Sequence, residues 1–351
     1  MNTERPRLDP AVAAVRLAVR TMLARALDEQ VVGPGNLVLV ALSGGADSLA
    51  LAAATAFEAP KQGLRAGAVI VDHALQAGSE AVAARASRQA AELGLAPVVV
   101  DRVDVGTAGG PEAAAREARY ASVTSVAAAE WSPLVLLGHT LDDQAETVLL
   151  GLLRGSGPDS LTGMASLVRP DRPGPSLGRP MLALRRATTR QACAASGLVP
   201  WDDPQNDDPA YTRVRVRNAL MPVLERELGP GVPEALARTA DQLREDSAAL
   251  DHFAEEMAED LAEHSEAGIS LSVPQLAANP PALRQRLVRL AVESEFGVTL
   301  SRLQTLEVCR LVTDWRGQGP IDLPGVRATR TGERVSFAAR EPHAGEPHAG
   351  G

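Results

Sequence analysis

The sequence predicts an α/β protein: a doubly wound parallel sheet followed by a smaller, mostly helical C-terminal domain. Three observations carry this. Short apolar runs, Leu37 to Leu42, Ala66 to Val71, Pro97 to Val100 and Leu134 to Leu137, alternate with Ala- and Glu-rich helical segments. Each run ends in residues able to do chemistry: Ser43, Asp72-His73, Asp101 and Gly138-His139. A strongly acidic segment from Glu234 to Glu263 then opens a region of different pattern. Strands alternating with helices give a parallel sheet covered on both faces. Ligands of such sheets sit beyond the carboxyl ends of the strands.

The first run reads as a buried strand emptying into Ser43-Gly44-Gly45-Ala46-Asp47-Ser48. Adjacent glycines permit positive φ and a close approach to a ligand. Asp47 and Ser48 begin a helix reaching about Phe57, and the unpaired amides at its start would face an anion. The loop lacks the Lys of the Gly-x-x-x-x-Gly-Lys-Ser/Thr pattern, so departing pyrophosphate suits it better than γ-phosphoryl transfer. Gly-Gly with Asp and Ser is also an ordinary strand-to-helix turn, and the loop alone does not choose between these readings.

Helices follow from Glu80 to Leu93 and from Glu112 to Ala129, the latter preceded by Pro111, where a first turn tolerates proline. The Pro- and Gly-rich stretch Ser166 to Pro180 reads as a long surface loop, and Arg185 to Ser196 as a short helix. Glu234 to Glu263 reads as a long amphipathic helix with Leu236, Ala240, Leu243, Leu250, Phe253 and Leu261 on one face. Helices over Pro281 to Phe296 and Ser301 to Thr313 and a strand-like tail, Val326 to Phe337, complete the pattern. The expected divisions are 1–225 for the catalytic domain, 226–340 for the C-terminal domain and 341–351 for a disordered, low-complexity tail. His343 and His348 in that tail read as solvated.

Composition narrows the class. Of 351 residues 45% are hydrophobic and 23% charged, ordinary for a globular protein. The N-terminal stretch interrupts its apolar residues with Arg16, Arg20 and Arg25, unlike a secretion signal. No run has membrane-spanning length, and Cys193 and Cys309 give neither a disulfide framework nor a Cys-x-x-Cys site. The expectation is a cytoplasmic protein with no membrane partner. The net charge of −9 argues at first against nucleic acid, but residues 234–263 hold ten acids against two Arg. Residues 151–230 hold eleven Arg against eight acids, three of them in Arg213-Val214-Arg215-Val216-Arg217. That alternation would equally suit an exposed strand face.

The segment His139-Thr140-Leu141-Asp142-Asp143-Gln144-Ala145-Glu146-Thr147 carries the next signal. On a helix starting near Asp142, Asp143 and Glu146 share a face. Two carboxylates directed at a phosphate pocket suggest Mg²⁺ held jointly with ATP oxygens. An acidic helix start that complements the macrodipole explains Asp142 or Asp143, but not His139 and Glu146 at the same edge. Arg116 and Arg119 lie one turn apart on the preceding helix, where they could stabilise charge on an α-phosphate or merely pair with Glu112 or Glu117.

The first loop matches the Ser-Gly-Gly-x-Asp-Ser signature of the PP-loop ATP pyrophosphatases. With Val71-Asp72-His73, Glu112 to Tyr120, His139 to Thr147, Leu153 to Gly157, Arg179-Pro180, Trp201-Asp202-Asp203-Pro204, Asn206 and Tyr211 to Arg217, the chain resembles the tRNA(Ile)-lysidine synthetases over roughly Leu37 to Leu224. It departs at Ala74, Gln76 and Val214, where the family favours Gly, Arg and Asn.

The resemblance implies that ATP adenylates O2 of the wobble cytidine in the CAU-anticodon isoleucine tRNA and that free L-lysine then displaces AMP. It implies ATP-binding roles for Ser43, Gly44, Gly45, Ala46, Asp47, Ser48, Asp72 and His73, and Mg²⁺ support from Asp47 and Asp143. Asp47, Arg116, Arg119, His139, Asp143 and Glu146 become the catalytic candidates, and Arg154, Arg213, Arg215 and Arg217 the candidates for tRNA phosphate contact. A homodimer is allowed by family likeness only. Rivals are a tRNA thiolase, which normally needs clustered cysteines, an amidotransferase-linked synthetase, which needs an ammonia source, and a non-catalytic ATP-binding regulator.

Overall fold

The structure is a computed structural model and describes residues 8–73, 78–103, 111–155, 157–170, 172–265 and 268–340. Ala74, Gln76, Ser156 and the tail from residue 341 fall outside these residues. The chain divides into two compact units, 1–156 with 160–241 and 157–159 with 242–351, so the division falls inside one long helix.

The first unit runs α1 (Pro10–Asp28), β1 (Leu37–Ala41), α2 (Ala46–Glu58), β2 (Arg65–Asp72), α3 (Ser79–Glu92), β3 (Val98–Arg102), α4 (Pro111–Ala129), β4 (Leu134–Leu136), α5 (Leu141–Arg154), β5 (Leu167–Val168), β6 (Ser176–Gly178), α6 (Arg186–Ala195), α7 (Thr212–Arg215), α8 (Met221–Leu228) and the start of α9 (Val232–Leu261). Its six strands lie in the order β3-β2-β1-β4-β6-β5, parallel except for β5 at the edge. The order reverses beside β1, and the loops after β1 and β4 therefore open onto one crevice.

Strand periodicity shows how the sheet is covered. Val38 and Val40 of β1, with Leu134 and Leu136 of β4, join a core built with α1, α2, α3 and α6. Leu37, Leu39 and Val135 face the other way, against Val123, Val126 and Ala127 of α4. Successive side chains of one strand supply both cores, which is why the runs are continuously apolar.

Two readings of this region are corrected. Ser166 to Pro180 is not simply a surface loop, because β5 and β6 lie within it and β6 extends the sheet from β4. Strands of two and three residues leave no readable alternation. The Arg213–Arg217 segment is not a strand face: α7 passes into a π-helical turn, Val216–Leu220, and then α8, with Val214 and Val216 buried.

In the second unit the remainder of α9 is followed by β7 (Ala262–Ser265), β8 (Gly268–Ser272), α10 (Val273–Ala278), α11 (Pro281–Phe296), α12 (Arg302–Thr313), β9 (Ile321–Leu323), β10 (Val326–Thr331) and β11 (Arg334–Ala339). An antiparallel five-stranded sheet, β7-β8-β11-β10-β9, packs Leu271, Val335 and Phe337 against Leu287, Val288 and Leu311. The strand-like tail foreseen from sequence is thus the β10–β11 hairpin of a full sheet, alongside the expected helices.

Candidate active site

The turn after β1 is held open by its own side chains. Ser48 Oγ donates to the Gly45 carbonyl at 2.9 Å and accepts from the Ser43 amide at 3.2 Å. Gly44 has φ +84°, a conformation that needs glycine, and its carbonyl accepts from the Trp201 amide at 2.9 Å. Gly45 caps α2 without a side chain, leaving the first amides of that helix available. Gly138, just after β4, abuts this turn: a Cβ there would stand 3.3 Å from both the amide nitrogen and the Cα of Ser48. Gly138 is therefore packed closely against the backbone of the first turn of α2.

A capping box starts α5. Thr140 donates to Asp143 Oδ2 from its amide at 2.8 Å and from its hydroxyl at 2.7 Å. This leaves Asp143 Oδ1 to Arg186, whose Nη2 stands 2.7 Å away, and to Arg217 at 3.4 Å. Burial draws the Asp143 carboxyl upward, but Arg186 and the two Thr140 bonds outweigh it and hold the pKa below the ordinary carboxylate value.

Glu146, one turn along, is 2% exposed and faces three guanidinium groups: Arg217 at 2.7 Å, Arg186 at 3.4 Å and Arg213 at 3.8 Å. Arg213 also donates to Thr147 Oγ1 at 3.1 Å. The spacing that put Asp143 and Glu146 on one face is what lets the same arginines reach both.

Asp47 completes the acidic group. Thr189 of α6 donates to its Oδ1, and Arg186 Nε lies 3.6 Å from Oδ2. Burial raises the Asp47 pKa despite these partners, and the nearby Asp143 charge adds to the rise. Compensation at Asp47 is thus weaker than at Asp143.

His139 is crowded by protein, which depresses its pKa to about 4 against the opposing pull of Asp143; Arg179, Arg116 and Arg213 depress it further. Its Nδ1 is buried without a hydrogen-bond partner among the described residues. On the far side Arg119 Nε meets His73 Nε2 at 3.4 Å, and Arg116 bonds the Tyr120 hydroxyl at 3.2 Å and lies over its ring. Burial lowers the His73 pKa, with Arg119 adding to it. Arg119 reaches solvent yet is hemmed in on its other sides, as a cleft-lining side chain is, and that crowding lowers its pKa without discharging it.

The structure therefore brings Asp47, Asp143 and Glu146 together, with His139 and Arg116 close enough to feel one another's charge. It puts Arg213 and Arg217 inside this cluster. Arg215 turns away to brace the carbonyls of Pro209 and Ala210, and Arg154 is exposed at the end of α5. Sequence reasoning missed Arg186, Thr189 and Thr140. The acidic trio was the available signal, since buried carboxylates need cations, but nothing local points from it to an Arg 40 or more residues away.

The PP-loop domain family matches residues 18–224, and the TilS substrate binding domain matches residues 271–335. A tRNA(Ile)-lysidine synthase of Leifsonia xyli subsp. xyli is 63% identical over 87% of this chain and 90% of its own. One from Streptomyces coelicolor is 49% identical over 93% and 97%. A solved U34-tRNA thiolase from Methanococcus maripaludis superposes with a TM-score of 0.55 at 20% identity, covering 67% of this chain and 79% of its own, a likeness of fold alone. Matched in both of its parts and along nearly its whole length, the chain belongs to the tRNA(Ile)-lysidine synthase family.

Proposed function

We propose that the protein ligates lysine to C2 of the wobble cytidine of CAU-anticodon isoleucine tRNA, converting its decoding from AUG to AUA. The O2 oxygen of the cytidine attacks the α-phosphorus of ATP and pyrophosphate leaves. The ε-amine of free L-lysine then attacks C2, and AMP departs with that oxygen. The observation that carries this reading is the convergence of an open phosphate turn, three carboxylates and a neutral histidine at one sheet edge, in a chain whose full-length relatives bear that name.

The residues divide the work. The amides at the start of α2 and the Ser43–Ser48 turn receive phosphates. Asp72 and His73, at the end of β2, flank the adenosine. Arg116 and Arg119 offset charge developing on the α-phosphate, a role for preorganised cations. His139 is neutral at physiological pH and offers its unpartnered nitrogen to a reacting group; Glu146 serves the adenylation or lysine step. Mg²⁺ held jointly with ATP oxygens fits the donor chemistry, since Asp47 Oδ2 and Asp143 Oδ1 are hard carboxylate oxygens that both border the Arg186 guanidinium. When bound it would supply charge neutralisation to the polyphosphate. Arg154 and Arg215 remain the outward candidates for tRNA phosphate contact. A homodimer in the cytoplasm completes the reading; no described helix is long and apolar enough to cross a membrane.

A thiolase would deliver sulfur through clustered cysteines. Cys193 and Cys309 lie in different units, are buried and have pKa values pushed up to about 11, which suits packing rather than sulfur transfer. The test is release of AMP and pyrophosphate with purified protein, ATP, CAU-anticodon tRNA and lysine, each omitted in turn. Turnover requiring all, with labelled lysine retained on the tRNA, supports the reading. Tight ATP binding without tRNA-dependent turnover removes it.

A further inference from the structure

Arg186 is the hub of the carboxylate cluster. Its amide, the first of α6, donates to Asp142 Oδ2 at 2.7 Å, and its side chain meets Asp143 at 2.7 Å, Glu146 at 3.4 Å and Asp47 at 3.6 Å. Four acids from α2 and α5 thus converge on one residue, and their charge raises its pKa against the cost of burial.

Each carboxylate has a second source of compensation. Glu146 keeps Arg217 and Arg213, Asp143 Oδ2 keeps the two Thr140 donors, and Asp47 Oδ1 keeps Thr189. Rotating the Arg186 side chain away would therefore uncover Asp47 Oδ2 and leave Asp143 Oδ1 with only the longer contact to Arg217 at 3.4 Å. The backbone anchor to Asp142 allows that rotation without moving α6. Asp47 belongs to the phosphate turn itself, so the Arg186 guanidinium, 3.6 Å from its Oδ2, borders the turn that would receive the polyphosphate. A planar fork binds phosphate in two places at once.

We infer that Arg186 is an internal cation that fills the Asp47–Asp143 pair while nucleotide is absent and transfers to the polyphosphate when ATP enters, so that this pair opens to a divalent cation only after ATP has bound. Arg186 is on this account a positioning residue that orders the arrival of nucleotide and metal. The inference rests on the ATP-dependent reading above and extends it to the order of binding.

Two arms test it on the full chain, both without tRNA or lysine. In the first, free Mn²⁺ is counted by electron paramagnetic resonance in a titration without nucleotide. Arg186→Gln should bind Mn²⁺ about tenfold or more tightly than wild type, because a positive charge within 4 Å of both oxygens has gone. The gain should vanish in Arg186→Gln/Asp47→Asn. In the second, binding of α,β-methylene-ATP is measured in EDTA by equilibrium dialysis. Arg186→Lys keeps the charge, and with it the fold, but lacks the fork, and should bind the analogue several-fold more weakly. Equal Mn²⁺ affinity in folded wild type and Arg186→Gln, a gain that survives Asp47→Asn, or unchanged analogue affinity in Arg186→Lys each overturns the inference. A protein that passes both arms but makes no lysidine overturns only the tRNA reading.

Discussion

Arg217 Nε stands 2.7 Å from Oε1 of Glu146, and its Nη2 lies 3.0 Å from Oε2, so a fork from the turn after α7 grips both oxygens of a carboxylate buried in α5. This two-pronged pair joins segments 71 residues apart. Removing one member of a buried pair leaves an uncompensated charge, typically about 3–5 kcal/mol, here lessened by Arg186 and Arg213. Arg217→Ala should lower urea stability by about 1–3 kcal/mol, and adding Glu146→Gln should restore part of the loss. Additive losses would show that the contact is not energetically coupled.

Arg154 and Arg217 should separate cleanly in tRNA binding. Arg154 is exposed, and each lost phosphate contact lowers the slope of log affinity against log salt by about one. Arg154→Ala should show that change with AMP formation at saturating tRNA intact. Arg217→Ala should leave the slope unaltered and impair turnover.

Asp143→Asn should abolish AMP formation. The amide can still accept from Thr140 through its oxygen, which turns its NH2 toward Arg186, donor against donor. Loss of turnover is the expected result, with a stability loss of about 1–3 kcal/mol because Arg186 loses its shortest partner but keeps Glu146 and Asp47. Unchanged turnover removes Asp143 from the site.

His139 makes stability depend on acid in a defined window. Its folded pKa of about 4 lies below the ordinary 6.5, so between these values the unfolded chain binds more protons and stability falls as pH drops from 6.5 toward 4. The full span is worth up to about 3 kcal/mol. Asp47, pushed upward, acts in the opposite sense, so the diagnostic quantity is the difference between wild type and His139→Gln. Parallel stability curves for the two proteins would refute the depressed pKa.

Gly138→Ala should damage nucleotide binding without touching a charged group. The added methyl meets the Ser48 backbone at 3.3 Å, and overpacking of this kind costs about 1–3 kcal/mol. If about 1 kcal/mol of that appears as displacement of the phosphate turn, the KM for ATP rises roughly fivefold. An unchanged KM would mean that β4 shifts instead.

The legible parts of this molecule were those written locally. The apolar runs marked four parallel strands, the three-residue spacing of Asp143 and Glu146 marked one helical face, and α11 occupies the span read from its pattern. What was hidden depends on distant partners. Arg186 reads as half of an ordinary Arg pair at the start of a short helix, and only the fold shows that it meets Asp143 across 43 residues of chain. Arg213 and Arg217 followed a period of two, yet as residues four apart on a helical path they reach the same carboxylate. The five-stranded sheet of the second unit was half visible because β7 and β8 adjoin an acidic helix pattern that masks them.

The bond from the Trp201 amide to the Gly44 carbonyl ties an indole-bearing residue to the turn that meets phosphate. The other two tryptophans are differently placed: Trp131 is 88% exposed after α4, and Trp315 lies beside Arg330 in the second unit. Of the three tryptophans Trp201 is the one tied to the turn, so its emission is the one expected to respond when nucleotide enters. A change in intrinsic emission on mixing with ATP in stopped flow, lost in Trp201→Phe, would make this residue an optical gauge of nucleotide occupancy with no label attached.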